Sequence, residues 1–341
     1  MSKRYSTGLR GLAIAALSSV ALFATGAAAE QHLRLATGQS SESLLQKEAY
    51  GVWAEALNTE SNGALRVESF PPPFATASNM WDRVTAGVAD MGIASLNNTG
   101  LPLKAAFVAS LPGLGRNTEA ASVAMWKLYE KGLLDVALDE VEVLGFQTAI
   151  AFTLNSKTPI TKLEDLKGLR VRVADANSAN AIAALGGAPV SIAFNEAYQA
   201  IDRGVVDAAV GNVNTGVIYR FAELLPHEQP AMAFGMTTFV FAMNKDAYAN
   251  LDDAGKAAID AWRGERLSRF MGAKQNDFRT SFEARLTEAG QLIRAEMDEA
   301  ELARWSVAID PVVAQWIKDT PKGQEVYDTF LAEYNTIDGA N

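Results

Sequence analysis

The sequence predicts an α/β protein of two lobes, with mostly parallel sheets, a ligand cleft between the lobes and a helical C-terminal region. Three observations predict it. Strand-like and helix-like segments alternate from the start of the folded chain, as open parallel sheets require. The alternation runs twice with different residues, which asks for two sheets. From Leu251 onward the pattern turns helical, with Trp262, Leu267, Phe270, Phe278 and Phe282 able to face the sheets.

In the first run, "HLRLAT" reads as a strand and "SESLLQKEAYGVWAEALNTES" as an amphipathic helix capped near Ser41, with Leu44, Leu45, Tyr50, Trp53 and Leu57 at helical spacing. "ALRVESF" is a strand, "ASNMWDRVTAGV" a short helix and "ADMGIAS" a strand. In the second run, "EVLGFQTAIAFTLNS" reads as one long apolar strand region and "LRVRVAD" as the next strand. "ANSANAIAALGG" is a helix ended by glycine, "APVSIA" a strand and "FNEAYQAIDRG" a helix; "VVDAAVGN" and "TTFVFAMN" complete the strands. "LLPHEQP" reads as a polar loop, and "FPPPF" as a rigid loop after a strand. The lobes are expected at 30–150 with about 241–285, and at 151–240 with about 286–335.

Before them, residues 1–29 have the pattern of a secretory signal peptide. Lys3, Arg4 and Arg10 precede an apolar run over 12–24, and Ala27, Ala28 and Ala29 offer a small-residue cleavage site. That run is shorter than the ~20 residues a membrane span needs, so cleavage before Glu30 and a periplasmic location are expected.

The 341-residue chain carries 30 Lys+Arg against 40 Asp+Glu, a net charge of -10. Cleavage would remove three basic residues and no acidic ones, leaving -13. Nucleic acid and anionic lipid are therefore poor partners. An anionic small molecule remains possible if positive charge is local and inside a cleft. There is no cysteine, so thiol nucleophiles, thiolate metal sites and disulfides are excluded, and core burial must hold the lobes. A monomer is expected.

Catalytic patterns are lacking. His32 and His227 have no serine or paired carboxylate near them in sequence, and no phosphate loop, dinucleotide fingerprint, nucleophile elbow or zinc motif occurs. No cofactor or metal is expected. The turn "NNTG" after "ADMGIAS" could point Asn97 or Asn98 into the cleft.

Two arginines on one strand supply the local charge. In "LKGLRVRVAD", Leu169, Val171 and Val173 share one face while Arg170 and Arg172 share the other. Arg172 lies nearer the C-terminal end of the strand, where ligands of parallel sheets bind. Position alone leaves a structural ion pair open for it.

Four stretches in order then carry a family resemblance: "ALRVESFPPPFATASNMWDRVTAGVADMGIAS", "PITKLEDLKGLRVRVAD", "LGGAPVSIAFNEAYQAIDRGVVDAAVG" and "FVFAMNKDAY". Together they resemble the solute-binding proteins of tripartite ATP-independent periplasmic (TRAP) transporters of the DctP type, over nearly all of the chain after residue 29. The resemblance implies a two-lobe periplasmic-binding-protein fold, type II-like. It implies that Arg172, at the end of the strand after "DLKG", pairs with a ligand carboxylate, as a planar, permanently charged guanidinium can. It also implies that the Phe194 ring lines the pocket and that a polar residue follows "VVD". Asn212 and Asn214 are the candidates there, although Gly211 falls at the nominal position.

One departure shapes the expected ligand. Many members carry a second basic residue on the strand matching "LGFQTAIAFTLN", yet this chain has Phe152 and its neighbours Ile150 and Ala151. A second carboxylate there would be buried without a charge partner. With Phe152, Phe194 and Phe239 around one arginine, a monocarboxylate with an apolar or aromatic body is expected, ahead of a C4-dicarboxylate or sugar acid. Gln147, Thr237 and the asparagines could serve hydroxyls. The function expected is capture of a small organic acid and delivery to the small and large membrane subunits of a TRAP permease, with no catalysis. A periplasmic sensor presenting closed lobes to a receptor kinase would share this site, and a periplasmic hydrolase is the third reading.

Overall fold

The computed structural model describes residues 30–339; the signal-peptide reading lies outside the described residues. The strands are β1 (Gln31–Ala36), β2 (Leu65–Phe70), β3 (Met91–Ser95), β4 (Glu142–Thr148), β5 (Thr153–Ser156), β6 (Arg170–Val173), β7 (Ala188–Ser191), β8 (Ala208–Gly211), β9 (His227–Gln229), β10 (Thr238–Met243) and β11 (Ile293–Arg294). The α-helices are α1 (Gly51–Glu60), α2 (Met80–Thr85), α3 (Thr118–Glu130), α4 (Ala176–Ala184), α5 (Phe194–Asp202), α6 (Val213–Ile218), α7 (Lys245–Ala249), α8 (Asp253–Trp262), α9 (Glu265–Glu288), α10 (Glu299–Asp319) and α11 (Gly323–Asp338).

They form two sheets, ordered β2-β1-β3-β10-β4 and β11-β9-β5-β8-β6-β7. In the first, β2, β1 and β3 are parallel, and β10 runs antiparallel to both β3 and β4. In the second, β8, β6 and β7 are parallel, and β5 lies antiparallel between β8 and β9. Helices cover both faces of each sheet. One face of the first sheet meets α2, α3 and α11 through Trp81, Met125 and Phe330; the other meets α1, α8 and α9 through Trp53, Ile259 and Met271. In the second sheet, Val171 and Val173 pack on Ile182 of α4 and Trp305 of α10, while Ala209 packs on Ile201 of α5. Two three-layer lobes result, as the alternation predicts.

The stretch read as one long strand is two strands in different sheets. β4 ends at Thr148 and β5 starts at Thr153, so residues 149–152 cross between the lobes, and residues 230–237 cross back between β9 and β10. The crossings bond to each other: Ala149 N to Thr237 O at 2.8 Å, Phe152 N to Gly235 O at 2.9 Å, and Phe234 N to Phe152 O at 2.8 Å. The backbone thus stays paired between the sheets. An apolar strand and an apolar crossing read alike in sequence.

Two further readings are corrected. "LLPHEQP" holds β9, whose Glu228 and Gln229 are buried, because β5 and β11 both need its backbone as a partner. The C-terminal segment expected with the second lobe divides. Trp305 and Ile309 of α10 join the second lobe's core, but Val326, Phe330 and Tyr334 of α11 join the first. The Tyr334 hydroxyl accepts a hydrogen bond from Asn117 N at 2.9 Å, which fastens α11 at the start of α3. A stripe at i, i+4, i+8 says that a face is apolar, not which neighbour covers it.

Helix α9 is a third tie. Its 24 residues span ~36 Å, from α3 and β4 in the first lobe to α6 in the second. Near its far end Glu283 and buried Glu228 meet Arg116 at 3.3 and 3.5 Å and Arg294 at 2.7 and 3.3 Å. Thr153 Oγ1 donates to Glu228 at 2.9 Å. That network joins the loop before α3 to the second sheet.

Gly235 sits in the return crossing at φ +89°, and a Cβ there would lie 2.2 Å from Ser110 O. Gly235→Ala therefore combines left-handed strain with a backbone clash, and should cost at least about 3 kcal/mol of stability. Chemical denaturation of the variant beside the parent checks this; an unchanged midpoint would show that the crossing tolerates a side chain.

Candidate functional site

The C-terminal ends of β4, β6 and β8 converge where the lobes face each other. Arg172 and Arg170 part company there. Arg170 points to solvent and pairs with Asp207, Nε to Oδ2 and Nη2 to Oδ1 both at 2.9 Å. Arg172 is 0% exposed. Its Nε donates to Ile192 O at 2.7 Å and its Nη1 to Val210 O at 3.1 Å, so the ends of β7 and β8 hold the guanidinium plane. Nη2 is buried and has no hydrogen-bond partner among the described residues.

The Phe194 ring lies on the face of this guanidinium, 3.6 Å from its carbon to the ring centroid. Tyr219 stacks on Phe194 at 5.4 Å. A ring covers the face of a guanidinium and leaves its N–H edge free, so the stack and an edge-on carboxylate are compatible. Burial pushes the Arg172 guanidinium down to about 10, while Asp175 and Tyr219 pull it partly back. It therefore carries its charge at neutral pH.

Next to this stack is a cavity of about 540 Å³. Phe194, Asn212, Asn214, Ile218 and Tyr219 line it from the second lobe; Gly38, Gln39, Ser43, Leu44, Leu45, Gln147 and Phe239 line it from the first; Gln275, Phe278 and Phe282 of α9 close its side. Five rings face it, and none of these residues is charged. Gln147 is fully buried, and neither Oε1 nor Nε2 has a hydrogen-bond partner among the described residues. Asn212 caps α6, accepting from Thr215 N at 2.9 Å, and donates Nδ2 to Ile150 O at 2.7 Å. Its side chain is largely committed to tying α6 to the crossing. The Asn214 side chain makes no hydrogen bond among the described residues.

Phe152, Thr237 and Asn97 line a different cavity, of about 490 Å³, with Asp175, Asn177 and Ser110. The crossing explains the division: Ala149 and Ile150 face the first cavity and Phe152 the second. The Phe152 and Phe194 rings, 6.2 Å apart, stand between the two. A third hollow, about 680 Å³, lies along α10 and shares Phe107 and Asn177 with the second; its lysine, Lys104, donates to Asp319 O at 2.9 Å.

The sequence reading thus places Arg172, Phe194, Asn212, Asn214, Gln147 and Phe239 together, and the structure separates Phe152, Thr237 and Asn97 from them. It adds the wall before α1 and the rings of α9. Phe278 and Phe282, four apart on one helix, were legible as a face but not as a cavity wall. Behind Leu44 and Leu45, Gln46–Tyr50 forms a π-helical turn that no sequence signal announced.

Residues 35–319 match the family of bacterial extracellular solute-binding proteins, family 7 (DctP). The chain belongs to this family. A relative in Comamonas testosteroni, the outer membrane transporter protein TsaT, is 25% identical over 82% of this chain and 85% of its own length. A marine metagenome TRAP solute-binding protein specific for aromatic acid ligands, solved with 3-hydroxybenzoate, has a TM-score of 0.80 at 21% identity, covering 91% of this chain and 99% of that one. A TRAP solute-binding protein of Rhodoferax ferrireducens, solved with copurified benzoate, has a TM-score of 0.77 at 23% identity, covering 91% and 99%. As a member of this family the chain is an extracellular solute-binding protein and not an enzyme. Among the described residues no helix is long and apolar enough to cross a membrane.

Because Phe194 stacks against Arg172 on one side and Tyr219 on another, Phe194→Leu keeps apolar volume but loses both ring contacts. It should lower stability by about 1–2 kcal/mol. A thermal melt of the variant checks this, and an unchanged midpoint would show that the stack adds nothing beyond burial.

Proposed function

We propose that this chain captures a small monocarboxylic acid with an apolar or aromatic body in the 540 Å³ cavity and hands it to the small and large membrane subunits of a TRAP permease. Arg172 is the anchor. The observation that carries the reading is a buried guanidinium with an unmatched Nη2, beside a cavity walled by rings and uncharged residues. A buried cation with a free N–H is matched best by a carboxylate, and one cation matches one. An aromatic body burying about 150 Å² would gain roughly 4 kcal/mol from the walls. The aromatic acids held by the two similar structures support the same ligand class. Export with cleavage near Ala29, and a monomeric state, belong to the proposal. A C4-dicarboxylate or sugar acid would need charge or many hydrogen bonds from these walls, and a receptor kinase partner would use the same site.

Arg172→Ala should lower affinity for benzoate-type acids at least about a hundredfold while leaving a cooperative melt, because the carboxylate loses its charge partner. Arg170→Ala, which removes an exposed pair with Asp207, should change affinity by less than about threefold. Titration calorimetry of both variants with benzoate, succinate and glucuronate decides the matter. Equal affinity in Arg172→Ala and parent would remove Arg172 from the site, and selective binding of succinate or glucuronate would remove the monocarboxylate reading.

Leu44 and Ile218 are 43% and 60% exposed on facing lobes at the same cavity, an arrangement suited to apolar lips that meet on ligand capture. Small-angle scattering should therefore show a smaller radius of gyration with saturating acid. Superimposable profiles would exclude hinge closure.

A further inference from the structure

Gln147 is the last residue but one of β4, so its position depends on the strand's end and its pairing with Phe239 of β10. Its side chain is wholly buried, yet it lines the 540 Å³ cavity with both amide atoms unmatched. Burial pushes the Tyr50 hydroxyl above the usual phenol range and Gln147 draws it partly back, so the two groups are near each other. They are too far apart or too oblique for a formed hydrogen bond. A carboxamide held this way presents a donor and an acceptor side by side in an apolar wall.

We propose that Gln147 is a specificity-determining residue that reads a hydroxyl group on the body of the bound acid, making the preferred ligand a hydroxylated monocarboxylic acid. This rests on the reading of the cavity as the ligand site with Arg172 as its anchor. A hydroxyl both donates and accepts, so it can satisfy Oε1 and Nε2 in turn or one of each with Tyr50 completing the set. An apolar ligand atom would leave both amide atoms unmatched and dry. A second carboxylate accepts only, and would set its charge against Oε1. An ammonium group donates only, and would bury a second cation in a cavity served by Arg172. Arg172 belongs to the second sheet and Gln147 to the first, so the two polar groups address the ligand from different lobes. A hydroxylated acid is then held by both, whereas its unsubstituted analogue is held by one.

The test is titration calorimetry of the full protein with benzoate, the three monohydroxybenzoates and succinate, repeated on Gln147→Leu and on Gln147→Met. The parent should bind at least one hydroxybenzoate about tenfold or more tighter than benzoate, a gap that one well-placed hydrogen bond can open. Both variants should lose the preference for the hydroxybenzoate over benzoate, with melting temperatures equal to or above the parent's because unmatched polar atoms are gone. If the parent binds benzoate but favours no hydroxybenzoate, or if either folded variant keeps the preference, Gln147 does not read a hydroxyl. If succinate binds tightest, the amide serves a second carboxylate and the proposal falls. If no acid binds the parent, the cavity reading itself fails, and the hydroxyl reading with it.

Discussion

One apolar stretch, Glu142 to Ser156, has to supply strands to two different sheets, and the rest of the molecule is arranged around the way it does so. Between β4 and β5 the backbone leaves one sheet and enters the other, and its polar groups must be paired on the way. The return crossing before β10 pairs them, and the loop of residues 109–113 takes up the remainder through Met236 N to Ala109 O at 2.8 Å and Gly113 N to Ala233 O at 2.9 Å. Only glycine at 235 lets the return strand come this close to Ser110. The two crossings therefore form one short ribbon, and α9 and the Arg116–Glu228–Glu283–Arg294 network stand beside it as further ties. Two lobes tied in this way can bend at a few places without exposing unpaired backbone.

The ribbon also sets the chemistry of the cleft. Gln147 lies just before it, Ile150 within it and Phe152 at its end, so a few residues face two separate hollows. An alternation that would place side chains above and below a sheet here places them in different cavities. The hydrogen bond from Asn212 to Ile150 O then fixes α6 of the second lobe to the crossing, which positions Ile218 and Tyr219 as one wall.

Charge is treated in opposite ways two residues apart. Arg170 meets Asp207 in water, where an ion pair contributes little and is screened within about 8 Å at physiological salt. Arg172 has lost its water and is compensated by two carbonyls, a ring face and the distant pull of Asp175. That compensation is incomplete by one nitrogen. An acidic protein can thus hold a cationic point, because water and salt screen the exposed surface charges that the composition records, while the carbonyls and ring face lie directly against the guanidinium.

The sequence by itself determined most of the order of strands and helices, the two α/β runs, the acidic balance without cysteine, and that Arg172 lies nearer a strand end than Arg170. These follow from local rules of periodicity, capping and strand direction, which act over a few residues. The family resemblance pointed to Phe194, and Gln147 and Phe239 were candidates on apolar strand segments. The tertiary structure alone decided that "EVLGFQTAIAFTLNS" breaks into two strands, that "HEQ" is a strand and that α11 belongs with α3. It alone divided Phe152, Thr237 and Asn97 from the remaining site residues and brought Leu44, Phe278 and Phe282 to the cavity. In each of these cases the deciding partner is remote in the chain, and a residue's own periodicity specifies that a face must be covered without naming what covers it.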